Sequence, residues 1–103
     1  MLQLLFKQKL ADALWQKCQE IIQEKDLMDY QILKFPYTQW SEQQYQRAAA
    51  LIGISSSSTR RVFLPQRYEH YNFNTRTKEK YVQFLGFSSW EALNDALVAN
   101  NNG

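Results

Sequence analysis

One cysteine, one histidine, three glycines and two prolines among 103 residues remove several classes of chemistry at once. Cys18 alone cannot form an internal disulfide. Its place on the apolar face of an expected helix makes it a structural thiol in a reducing compartment, which implies a cytoplasmic protein. His70 and Cys18 lie in distant segments and cannot supply a metal-ligand set, and no nucleophile or acidic pair sits at a spacing that ties it to His70. The expectation is therefore no enzyme, no metal and no cofactor. The glycines are scattered, which excludes a phosphate-cradling loop. No long apolar run occurs: Leu2–Phe6 is interrupted by Lys7 and Lys9 before a signal-peptide core or a membrane span could form. A formal net charge of +2 also falls short of a strong polyelectrolyte.

What is present is apolar and aromatic. Hydrophobic residues make up 45% and aromatics 15%, enough to fold one domain over 1–103. Charge is unevenly distributed. Residues 1–54 are neutral, whereas 60–80 carry Arg60, Arg61, Arg67, Arg76, Lys78 and Lys80 against Glu69 and Glu79 only. Such a local excess suits either a phosphate-facing surface or a solvated face.

The apolar spacing predicts a mainly α fold of four to five helices around a helix–turn–helix. Phe6, Leu10, Leu14, Cys18 and Ile21 or Ile22 recur every three to four residues, marking a long amphipathic helix over 1–24. Leu5, Ala11 and Trp15 widen this stripe, which could serve the core or an interface with a second copy. Residues 30–35, with Tyr30, Ile32, Leu33 and Phe35 before Pro36, read as a short extended segment or an ordered aromatic loop. Ser41 and Gln44 have capping-box spacing, and Trp40 and Tyr45 are placed for a hydrophobic staple, so a helix starts at Glu42. A C-terminal helix pair over 75–99 follows. Asn74 or Thr75 caps its first member, Gly86 ends that helix after Leu85, and Ser88 with Glu91 forms a second capping box before Trp90, Leu93 and Leu97. Asn100–Gly103 reads as a frayed tail.

The most informative stretch is Tyr45–Phe63, within a helix–turn–helix over 41–64. Ala49 is small where two helices must approach closely, Gly53 can adopt the left-handed conformation that ends a helix, and Ile54 buries in the turn. Ser55 or Ser56 then caps a second helix whose inner face is Thr59, Val62 and Phe63. At about 100° per residue, Ser57 and Arg61 point outward, with Ser58 and Arg60 on the flanks. The serine run is better read as a cap and polar first turn than as a linker or modification site. Tyr68, Tyr71 and Phe73 read as packing beneath a loop, with stacking on unpaired bases as the alternative.

This segment resembles the helix–turn–helix of lambda-repressor-like bacterial regulators, through Ala49, Ile52-Gly53-Ile54, Val62, the serine-rich start and the two arginines. Downstream, Phe84-Leu85-Gly86-Phe87-Ser88-Ser89-Trp90-Glu91 is similar to an L-G-x-x-S-W-E segment of some bacterial regulatory proteins. The resemblance implies duplex DNA as partner and a transcriptional regulator or DNA-associated accessory subunit. Ser57, Ser58 and Arg61 would then approach base edges, and Ser56, Arg60, Arg67, Arg76 and Lys78 would contact phosphates. A single short reading helix buries little surface, so a homodimer or larger protein complex is expected, with the first helix as the natural dimer surface. The alternative is a protein–protein interaction or assembly module on the same framework, favoured by the low total charge and the aromatic residues.

Overall fold

Around one long N-terminal helix, four shorter ones close the core. In the computed structural model, which describes residues 4–24, 34 and 36–99, the helices are α1 (Leu4–Glu24), α2 (Glu42–Ile52), α3 (Ser56–Phe63), α4 (Thr75–Leu85) and α5 (Trp90–Ala99). A 3-10 turn, Tyr37–Gln39, precedes α2, and the described residues contain no strand. The fold is mainly α with five helices, as the periodicity requires. The extended segment expected at 30–35 and the tail at 100–103 lie outside the described residues, Lys34 apart.

Helix α1 touches each of the other four. Its inward stripe is Phe6, Leu10, Ala11, Leu14, Cys18 and Ile22, so Ile22 rather than Ile21 ends the buried row. Leu5 departs from expectation: it is 47% exposed and stands outside the stripe. Of the two uses the stripe left open, the core or a second copy, its buried residues serve the core. Among the described residues, Leu5 and Val98 are the large hydrophobics left exposed. The core continues through an aromatic group in which Phe63 of α3 lies 5.1 Å from the Tyr37 ring and 5.0 Å from the Trp40 ring. In this group the polar atoms are bonded, with Tyr37 donating to Asp12 at 2.5 Å, Tyr45 to the Tyr37 carbonyl at 2.7 Å and Trp40 to the Lys34 carbonyl at 2.6 Å, whereas the fully buried Tyr81 hydroxyl has no hydrogen-bond partner among the described residues.

Local chemistry sets the helix ends. Ser41 and Gln44 form the expected capping box, the Gln44 side chain accepting from the Ser41 N–H at 2.7 Å. Trp40 and Tyr45 form the staple, with ring centroids 5.5 Å apart. Gly53 ends α2 at φ +90°, and both its N–H and that of Ile54 donate to the Ala49 carbonyl. Of the two candidate caps for α3, Ser55 serves: its Oγ accepts from the Ser58 N–H at 3.1 Å. Asn74, not Thr75, caps α4, accepting from Thr77 at 2.8 Å.

The start of α5 corrects the sequence reading by one residue. Ser89 rather than Ser88 is the cap, its Oγ accepting from the Ala92 N–H at 3.0 Å. Gly86 at φ +78° and the return of the Phe87 N–H to the Val82 carbonyl match the Gly53–Ile54 corner, but there the cap follows at once at Ser55, whereas here Ser88 intervenes before Ser89.

Gly53 offers a small, clean test. A Cβ there would meet nothing within 4 Å, so the cost of Gly53→Ala is conformational alone. It should lower unfolding free energy by about 1 kcal/mol in urea titration. No loss would show that the corner tolerates another backbone geometry.

Candidate nucleic-acid interface

The corner between α2 and α3 and the first turns of α4 enclose an open, polar depression of about 340 Å³. Its walls are Gly53, Ile54, Ser55 and Ser58 on one side and Asn74, Arg76, Thr77 and Lys80 on the other. Two helix starts therefore face one space. Their caps satisfy the N–H groups of Ser58 and Thr77, leaving the earliest N–H groups of both helices without intrahelical acceptors. Arg76 and Lys80, four residues apart on α4, bring the positive charge. Neither pairs with a carboxylate among the described residues. The combination of free cations and helix N-termini favours an anion electrostatically.

The expected contact residues are only partly gathered here. Ser58 and Arg76 line the depression, while Ser57 is exposed and Ser56 half-buried in the same first turn of α3. Ser58 is already engaged, since its hydroxyl accepts from the Ser55 hydroxyl at 3.0 Å. Arg60 turns toward α2: it pairs with Glu42 and its guanidinium stands 5.8 Å from the Tyr45 ring centroid. Arg67 lies elsewhere, over the Tyr68 ring and beside a second depression lined by Gln8, Asp12 and Tyr37. Lys78 sits 5.4 Å from the Trp90 ring centroid, along a groove between α4 and α5.

Arg61 departs from the helical projection. Instead of standing away from the body, it is half-buried, with its guanidinium 4.7 Å from the Tyr71 ring centroid and its NH1 donating to the Tyr71 hydroxyl at 3.0 Å. The segment between α3 and α4 folds back along α3, so the helix face that projection left open meets Tyr71.

Lys80 and Lys7 are the residues the sequence reading passed over as site components. Lys80 was legible from its i,i+4 spacing to Arg76. Lys7 falls on the buried stripe of α1, three residues before Leu10, and is 1% exposed. Its ammonium donates to the carbonyls of Tyr68, Glu69 and Tyr71 at 3.2, 2.6 and 2.5 Å. Burial lowers the Lys7 pKa from its ordinary value, and the charge of Glu69 acts in the opposite direction. Its three donors are matched by three acceptors, which makes it an anchor for the α3–α4 segment.

No group of three or more His, Cys, Asp or Glu among the described residues is arranged to hold a metal ion. No helix among them is long and apolar enough to cross a membrane. Compared with protein-family models, curated proteins and solved structures, the chain matches none.

Proposed function

We propose that this chain binds duplex DNA through the α2–α3 corner, as a helix–turn–helix transcriptional regulator or DNA-associated accessory subunit of lambda-repressor-like type. One observation carries the reading. Arg76 and Lys80, without a carboxylate partner among the described residues, share a polar depression with the serine-rich start of α3 and the first turn of α4. Here a backbone phosphate meets two cations and helix N-termini, while exposed Ser57 and neighbouring Arg61 address base edges. Ser56 and Ser58 add short polar groups near the same phosphate. Arg60, neutralised by Glu42, contributes less than its position in the sequence suggested. The partner assembly is a homodimer or larger complex, because α3 has eight residues and buries little DNA surface by itself.

Fluorescence anisotropy on a labelled random duplex at about 50 and 200 mM salt tests the reading. Wild-type binding should weaken steeply across that range. The Arg76→Ala/Lys80→Ala variant should bind more weakly on every sequence, its log–log salt slope flatter by about two contacts. Arg60→Ala should change little. Folded protein, confirmed by circular dichroism, that binds no duplex at 50 mM salt would overturn the proposal.

A second reading, a protein-docking module, draws on a different feature: Val82, Phe87 and Trp90 line the groove between α4 and α5 beside Lys78. A protein that fails on DNA but whose partner binding is lost in Trp90→Ala would establish it.

A further inference from the structure

An arginine kept for structure is ordinarily neutralised by a carboxylate, and Arg60 shows the pattern with Glu42. Its neighbour Arg61 is held differently. A phenol accepts one of its protons and an aromatic face supports its plane, and neither removes its charge. Arginine has five N–H donors in a fixed fork, so one bond to Tyr71 leaves four, more than the two that a guanine edge accepts. The side chain is ordered without being spent.

Tyr71 is itself restrained from two directions. Its ring meets Phe73 edge-on at 5.8 Å, and Phe73, buried, meets fully buried Tyr81 at 5.5 Å. Its carbonyl accepts from the buried Lys7 ammonium at 2.5 Å. A path of packed and hydrogen-bonded groups thus runs from α1 through Tyr71 to the outer end of α3. Holding a long side chain before binding removes part of the rotamer entropy that binding would otherwise cost.

On the DNA-binding reading above, we propose that Tyr71 is a specificity-determining positioning residue that holds the Arg61 guanidinium ready for a guanine in the major groove. Tyr71 acts through Arg61 and makes no base contact itself. Its loss therefore reduces discrimination between sequences and leaves general affinity for the backbone in place.

The experiment starts from a preferred duplex selected out of a random pool. Affinities for this duplex and a scrambled one are then compared for wild type, Tyr71→Phe, Arg61→Ala and the double variant. Tyr71→Phe keeps the ring and removes the hydrogen bond. It should lower the preferred-to-scrambled affinity ratio about fivefold, with scrambled binding unchanged and no further loss when added to Arg61→Ala. Nitrogen-detected NMR of the Arg61 Nε–H in the free protein supplies a readout independent of DNA: an ordered signal in wild type should become mobile in Tyr71→Phe. Equal thermal midpoints for the two proteins would show that the ratio does not report unfolding.

An unchanged ratio in Tyr71→Phe, or the same loss in the Arg61→Ala background, overturns the positioning role. So does an Arg61 signal that is equally mobile in wild type. Duplex binding without any preferred sequence overturns base reading while leaving the Arg76–Lys80 phosphate contact standing. No duplex binding at low salt overturns the DNA reading as a whole, whatever the NMR signal shows.

Discussion

Lys7→Met should lower unfolding free energy by about 2–3 kcal/mol, a large share of the 5–15 kcal/mol that holds a domain of this size. Methionine retains most of the apolar stem that lies against the core, so the loss reports mainly the ammonium. Three hydrogen bonds from a charged donor disappear, and the carbonyls of Tyr68, Glu69 and Tyr71 lose a shared partner. Two effects oppose that loss. The variant no longer buries a charge, and water can reach the carbonyls in part, since they are not fully enclosed. The carbonyl term wins because one small ammonium bonds all three oxygens, which no single neutral side chain reproduces. Lys7→Arg should not restore stability, because a planar fork spreads its donors instead of concentrating them at one point. Urea denaturation measures the loss, and amide exchange should quicken around 68–71 in both variants. A change under about 1 kcal/mol in Lys7→Met would remove the anchor role.

Alkaline pH should destabilise the protein well before the surface lysines discharge. Burial pushes the Cys18 thiol from 9.0 up to about 12. Tyr37, Tyr45 and Tyr81 are also raised, chiefly by burial, with the Asp12 hydrogen bond adding to the shift at Tyr37. In each case the native state keeps a proton that the unfolded chain gives up, so stability falls as pH rises. For Cys18 the contribution is complete below pH 9 and is lost progressively up to about 12. Lys7 works the other way: its lowered pKa means the native state releases its proton first, adding stability as pH rises toward 10.5. One opposing group does not offset four. Between pH 9 and 10, Cys18 alone should remove about 1 kcal/mol, and Cys18→Ala should lose that much less over the same interval despite its lower stability at pH 7. Urea midpoints at pH 7, 9 and 10 for both proteins test this. Parallel curves would show that the thiol reaches solvent.

Features decided by a few adjacent residues were legible in the sequence. The capping box at Ser41, the end of α2 at Gly53 and the end of α4 at Gly86 depend on groups within four or five residues of one another. The α1 stripe was legible because burial on one helix face imposes its own period. The start of α5 was misplaced by one residue, since Ser88 and Ser89 both offer a hydroxyl just before the apolar run and local spacing does not choose between them. The candidate site was less legible. Helical projection takes account of α3 alone and so left Arg61 outward, whereas the segment after α3 returns to meet it and leaves it half-buried against Tyr71. Lys7 stood in plain view as a cation on an apolar row. Its meaning depended on three carbonyls more than 60 positions away, which carry no side-chain signature.

The central place of α1 also governs how the chain matures during synthesis. Leu10 and Leu14 leave the ribosome early, yet the helices that cover them extend to Leu97, whose carbonyl accepts from Lys9 across 88 positions. At about 5–20 residues per second, the apolar face of α1 waits roughly 5–20 s for its last partner. Over that interval the nascent chain carries an uncovered hydrophobic helix, the kind of surface that holding chaperones bind. That face is fully covered only once α5 has emerged.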